Sequence, residues 1–468
     1  MSKGTHPYMP NSSQEIKEEM LDAVGADDIE ELYEQIPTDL RYHGEFDLPS
    51  ATSEIELKRQ VEDILSKNES CADNLNFRGA GCWQHHVPAV CDEITERREF
   101  LTSEWGSPES DQGRNQAWFE FCSQLGELLE LDAVGMPVYS WGNAAGFAIR
   151  MAHRLNHRTE VLVPESISPE RLEVIENYRR LANNDDNLTI TKIAYDRETG
   201  RIDVDDLAEK CSEQTTAVYY ETPTYLGTIE SDGHKIAEIA HDNGAECIAG
   251  VDPITLGVLD TPANHGADIV VGTTQPLGIH MNAGGGCSGF LATRDEEAYV
   301  VEYPTLLLSA TETKREGELG FAFMPDQIGR SSYGEREQGN DYTGTSVFLW
   351  TIMNAVYMSL MGPKGFEEVG NLMIERSHYA AEKLSSIDGV DIDLSPEFFK
   401  EFVVNFDDAE QSAEEVNAEL HDRGIFGGHV LSEEFPELGD SALYCVTEVH
   451  TKDDIDQLAN AMNKVIST

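Results

Sequence analysis

From about residue 115 to 275, short apolar runs alternate with stretches of helical period, and that alternation restricts the chain to one broad class of fold. Strands are predicted at 160–164, 188–194, 217–220, 247–251 and 269–272. Helices are predicted between them at 169–181, 203–211 and 233–243, the first opening on Pro169, a position where proline is tolerated. Strands that alternate with helices imply an α/β fold: a mostly parallel sheet covered on both faces. Ligands of such sheets sit at the carboxyl ends of the strands, where Asp252, Gln275 and the run 222–227 fall. Two further helices, 346–361 and 366–385, lead into an α+β tail. Residues 1–70 read as a separate amphipathic arm, with helices near 13–20, 27–33 and 53–65, the first and third opening on a serine suited to cap them. The predicted organisation is therefore an arm (1–70), a large domain (71–345) and a small C-terminal domain (346–468).

Charge narrows the partners. The chain has 87 Asp and Glu against 33 Lys and Arg, a formal net charge of -54, so nucleic acid and anionic membranes would be repelled. The excess is spread from Glu15 to Asp456 among 40% hydrophobic residues, which suits a folded core with an acidic surface rather than a disordered acidic tail. Such a surface suits a high-salt cytoplasm, where counterions screen self-repulsion. No apolar run approaches the roughly 20 residues a membrane span needs, and the N-terminus lacks a signal pattern, so a cytoplasmic location is expected. The eight cysteines form no CxxC pair and no Cys/His ligand spacing, so no metal site is expected.

The segment from Asp252 to Gly289 carries the chemistry, partly through what it lacks. Asp252 closes a strand, 269–272 forms the next, the polar turn Thr273-Thr274-Gln275-Pro276 follows, and Gly284, Gly285, Gly286 and Gly289 form a glycine cluster. This order resembles the core of fold-type-I pyridoxal-phosphate (PLP) enzymes. In those enzymes the Asp faces the pyridine nitrogen and a Lys in the polar turn forms the Schiff base. On that pattern Pro276 occupies the lysine position, preceded by Gln275, and no lysine occurs between Lys235 and Lys314. A Schiff base needs a primary amine. Asp252 and Gln275 are then relic cofactor-site positions.

The chain resembles, from about Phe77 onward, subunit 1 of two-subunit glycine dehydrogenase (decarboxylating), the P-protein of the glycine cleavage system. The residues that carry the resemblance are the stretch from Phe77 to Pro88, the run Pro108-Glu109-Ser110-Asp111-Gln112-Gly113, the segment 266–278, and the C-terminal Arg423 to Gly428, Phe435 to Leu438 and Val446 to Glu448. The resemblance implies a fold-type-I PLP-transferase architecture with a smaller α+β C-terminal domain. It implies that this chain supplies no Schiff-base lysine, that a lysine-bearing subunit 2 holds the PLP covalently, and that the pair decarboxylates glycine and passes the aminomethyl group to a lipoylated H-protein. It further implies interface active-site residues at Gly79, His85, Trp105, Glu109 and Gln112. Two segments depart from the family pattern: 103–107 is one residue shorter with Asp111 in place of a serine, and 336–342 reads Arg-Glu-Gln-Gly-Asn-Asp-Tyr. Those departures keep a second reading open, a diverged paralogue paired with a PLP subunit that acts on another small amino acid.

Overall fold

The computed structural model describes residues 13–44, 46–100, 108–180, 187–282, 288–323, 341, 343, 346–394 and 397–467. Within the helix that begins at Pro108, side chains are described from Arg114 onward. The chain divides into two compact units, Met1–Asn68 and Glu69–Thr468.

In the first unit, Ser13 caps the helix Gln14–Val24 through its hydroxyl, and the Glu56 carboxylate takes both the N–H and the hydroxyl of Ser53 at the start of Glu54–Leu65. Residues 27–33 contain a 3-10 helix, Ile29–Tyr33, rather than an α-helix; Asp28 caps its start by accepting the Glu30 amide. Neither α-helix buries a described side chain; Met20, Val24, Ile55 and Ile64 are exposed.

The second unit is built on a seven-stranded sheet. Its order is Ala133–Val134, Gly289–Thr293, Ile269–Thr273, Glu246–Val251, Thr215–Thr222, Glu160–Pro164 and Thr189–Ile193. The last five are mutually parallel and the first two run antiparallel to their neighbours. Period-two geometry sends alternate side chains into two cores. Val161, Val163, Ala217, Tyr219, Ile248, Ile269 and Val271 face the helix Trp141–Asn156, while Leu162, Val218, Tyr220, Cys247, Ala249 and Val270 face the opposite layer. Burial on both faces is why these strands read as unbroken apolar runs.

The helix Trp350–Ser385 begins four residues after the predicted Ser346 and is interrupted at Gly362, whose φ of 57° and ψ of 178° leave the helical region just before Pro363. The predicted pair of helices is therefore present, one on each side of this break. After it, a four-stranded antiparallel sheet orders Asp391–Asp393, Glu401–Asn405, Ser441–Cys445 and His429–Val430, packed on the helices Ala413–His421 and Lys452–Ile466. The strand Glu401–Asn405 brings its N-terminal end to the carboxyl edge of the large sheet, since Gly227 accepts the Phe399 amide.

Candidate functional site

Asp252 follows the last residue of the strand Glu246–Val251, at the sheet edge where ligands of such folds bind. One carboxylate oxygen accepts the Ile254 amide at 3.1 Å, capping the 3-10 turn Pro253–Gly257. The other lies 2.6 Å from Lys400 Nζ, and both side chains are only 3% exposed. Lys400 precedes the strand Glu401–Asn405 of the C-terminal sheet, so two sheets meet at this ion pair.

The ammonium has three donors. Nζ faces Asp252 Oδ2 as an ion pair whose angle is not that of a hydrogen bond, approaches His85 Nε2 at 3.2 Å, and lies 3.5 Å from the ring centroid of Trp83. His85 Nδ1 in turn is 2.9 Å from Glu448 Oε2, and the Glu448 Oε1 accepts the His86 amide at 2.7 Å. Lysine only donates and carboxylate only accepts, so His85 bridges the two with one ring nitrogen turned toward each. Burial pushes the Glu448 carboxyl up, but His85 and the His86 N–H outweigh it and hold the group down to about 2.

A second buried pair lies alongside. Arg171, on the helix Pro169–Tyr178, donates to Glu221 at 2.8 Å and stacks over Trp141 and Tyr225, 4.5 and 5.6 Å from their ring centroids. Glu221 also accepts the Tyr219 hydroxyl at 2.7 Å, and that hydroxyl accepts Trp141 Nε1–H at 3.0 Å. Burial and the Glu221 carboxylate push the Tyr219 phenol well above its ordinary range. Gly250 is required beneath them: a Cβ there would lie 2.7 Å from the Tyr219 oxygen and 2.8 Å from Trp141 Nε1.

Trp83, Trp141, Arg171, Tyr225, Asp252, Lys400 and Glu401 therefore close on one another, leaving about 10 Å³ of free volume between them. That is room for about one water, whereas drug-sized ligands occupy pockets of roughly 300–1,000 Å³. The turn before Trp141–Asn156 is also used internally. Ser140 caps the Asn143 amide, Asn143 Oδ1 accepts the Tyr139 amide, and the Asn143 amide nitrogen bonds the Tyr178 hydroxyl. The residues present do not fit a bound pyridoxal phosphate.

The sequence-expected positions fall as follows. Gln275 is buried at the turn, its Nε2 donating to the Ile279 carbonyl, while Asn354 reaches across from the kinked helix to the carbonyls of Thr274 and Leu277. Pro276 lies between them, buried. Gly79 is a close-approach glycine: a Cβ would come within 2.8 Å of Glu401 Oε1, the atom that accepts the Ala80 amide. His85 points inward and His86 outward, as expected of adjacent residues. Glu109 and Gln112 fall in the first turns of the helix Pro108–Leu129; Trp105, the glycine cluster 284–286, and the divergent segments 103–107 and 336–340 lie outside the described residues. Sequence reasoning passes over Lys400, Arg171, Glu221 and Trp83. One signal was there: the charged pair Lys400-Glu401 interrupts the apolar run from Phe398 to Val404.

With this geometry in hand, likeness to known proteins can be weighed. A profile of the family described as Glycine cleavage system P-protein matches residues 6–462. The chain belongs to that family. Among P-protein relatives, a protein of Staphylothermus marinus named "Probable glycine dehydrogenase (decarboxylating) subunit 1" is 36% identical, with 99% of each chain covered. A crystal structure of glycine decarboxylase (P-protein) of the glycine cleavage system, in inhibitor-bound form, superposes with a TM-score of 0.85 at 31% identity, covering 98% of this chain and 100% of that one. A Burkholderia pseudomallei sphingosine-1-phosphate lyase matches at TM-score 0.65 and 15% identity, with 92% of this chain and 94% of the other covered, which extends the fold but not the chemistry. The P-protein architecture is thus the fold-type-I PLP one, as the resemblance implied. No helix among the described residues is long and apolar enough to cross a membrane, and no described cluster of His, Cys, Asp and Glu could hold a metal ion.

Proposed function

We propose that this chain is the lysine-free subunit of a two-subunit glycine dehydrogenase (decarboxylating), working in the cytoplasm beside a lysine-bearing subunit 2. The observation that carries the proposal is the closed strand-end site in a chain that matches its relatives over their whole length: Asp252 is satisfied by Lys400 and the turn after 269–273 offers Pro276 where an amine is needed. When bound in the partner, PLP serves as the sink for the electrons left by loss of CO2. The aminomethyl group then goes to a lipoylated H-protein.

This chain's own part is to build one wall of the shared cleft. The loop from Arg78 to Pro88 is fixed by three inward anchors, namely the Ala80 amide on Glu401, His85 between Lys400 and Glu448, and Trp83 under the Lys400 ammonium. That leaves the outer face of the loop, including His86, to meet the partner. The resemblance assigns Glu109, Gln112 and Trp105 to the same cleft, with Trp105 in the role of excluding water, a task for which a rigid ring costs little entropy.

Co-expression with a lysine-bearing subunit 2 tests the proposal: CO2 release from glycine is expected from the pair and from neither chain alone. Trp105→Ala in the reconstituted pair should lower kcat about tenfold while the melting temperature of the chain stays put. The altered segments 103–107 and 336–342 support a second reading, turnover of a different small amino acid. An amino-acid panel on the same pair separates the two, glycine being inert under the second.

A further inference from the structure

The buried aspartate at the strand end raises a physical question that a missing Schiff-base lysine does not answer. In a PLP-binding relative this carboxylate faces a pyridinium. Removing the cofactor while keeping the Asp leaves a carboxylate desolvated and alone, an arrangement proteins avoid. Here Asp252 is 2% exposed yet not alone, because Lys400 approaches it from the C-terminal sheet.

We propose that Lys400 is a built-in substitute for the cofactor's pyridinium, a cation supplied by the chain itself that holds the two sheets together and closes this half-site to PLP. This rests on the assignment of Asp252 to the pyridine-partner position and goes beyond the absence of Lys at 276. The ammonium is engaged on three sides, by the charge of Asp252, by His85 and by the Trp83 ring. The groups nearest the helix N-terminus at Trp141 are drawn partly inward as well. Arg171, the other buried cation, is committed to Glu221, and the Ser140 turn uses its own amide. Among the described residues around the site, two cations, Lys400 and Arg171, stand against four carboxylates, Asp252, Glu221, Glu401 and Glu448. A phosphate dianion would add charge of the sign already in excess.

The test uses the full chain and pyridoxine 5′-phosphate, which has the ring and phosphate of the cofactor but no aldehyde and so cannot form adventitious aldimines. Calorimetry and thermal melting of the wild type are expected to show neither heat nor shift at millimolar ligand. Micromolar binding by the wild type overturns the inference. So does a pyridoxyl adduct on Lys400 after incubation with PLP and borohydride.

A double-mutant cycle reads the charge pair directly. Lys400→Met keeps the volume and removes the charge; Asp252→Asn does the converse. Each alone should lower the melting temperature by on the order of 5 °C, and the double variant should recover more than half of the summed loss. Strictly additive losses refute a substitute cation and leave Lys400 an ordinary packed residue. Lys400→Ala adds a rescue arm: ethylammonium chloride should raise its melting temperature above that in an equal concentration of KCl and leave the wild type unmoved. If the single variants do not fold, folding of the double variant supports the pairing, and the wild-type titration still decides the closure. A reconstituted pair with no glycine turnover would sink the proposed role without altering this cycle, and wild-type ligand binding would do the reverse.

Discussion

The charges at the strand ends and those on the exterior of this protein obey opposite rules. Around Asp252 each acidic side chain is held by a specified donor: Lys400 on Asp252, Arg171 on Glu221, the Ala80 amide on Glu401, and His85 with the His86 amide on Glu448. All are at least mostly buried. Across the whole chain, by contrast, a net charge of -54 leaves far more carboxylates than cations, and solvent ions must balance the remainder. Inside, geometry neutralises charge and salt has little access. Outside, screening is the main relief from repulsion. One protein thus carries two electrostatic regimes, and salt should separate them.

Arg171→Ala should show the largest effect outside the Lys400 cycle. It leaves Glu221, with its side chain 1% exposed, without its cation, a loss of about 3–5 kcal/mol. Denaturant unfolding at low and at molar KCl should give the same loss. A cost under about 1 kcal/mol, or one erased by salt, would put this pair in the exterior regime.

Glu448 gives the next effect, with a sign set by pH. Its folded-state pKa, about 2, lies below its ordinary value of 4.5, so the stabilisation is fully present above about pH 4.5 and is lost as pH falls through about 2. The shift corresponds to roughly 3 kcal/mol at neutral pH. Glu448→Gln should be less stable than wild type at pH 7, and the gap should close on acidification through that window. Comparison with the variant is needed because Glu230, Glu246 and Glu401 have the opposite sign: burial raises their pKa values, and acid relieves that cost. A gap that stays constant down to about pH 2 would show that His85 and the His86 amide do not hold Glu448 ionised.

The exterior regime predicts smaller, salt-sensitive effects. Raising KCl from about 0.1 M to about 1 M shortens the screening length from about 10 to about 3 Å, and the melting temperature should rise by several degrees. An unchanged or lower value would reject a high-salt adaptation. The smallest effect is expected at an exterior pair such as Lys210 and Asp206, 2.7 Å apart at i,i+4 spacing and partly exposed. Lys210→Ala should cost under about 1 kcal/mol at low salt and almost nothing in molar KCl.

Much of the fold was legible in the chain because its signals are local. Unbroken apolar runs such as 160–164 and 269–272 fall on inner strands, and Ser13 and Ser53 open helices as expected. The C-terminal helix pair was legible too, its two members meeting at the non-helical Gly362, although the first starts at Trp350 rather than Ser346; Thr343 and Phe348 are buried ahead of it. The site was legible only in part. Asp252, Gln275 and Pro276 stand out because they lie in one short segment, whereas Arg171 and Glu221 look like ordinary members of a helix and a strand until they are seen to touch.

The sequence by itself determined the alternation that makes a parallel sheet, the strand that ends at Asp252, and the lysine-free span from 236 to 313, since each depends on neighbours in the chain. Only the tertiary structure decided what faces Asp252. The pairing with Lys400 needs the C-terminal sheet to dock against the large one, and the closure needs Trp83, Trp141, Arg171 and Tyr225 to converge from four separate segments. Pairing energy depends on distance and dielectric in three dimensions, and no local pattern of residues records either.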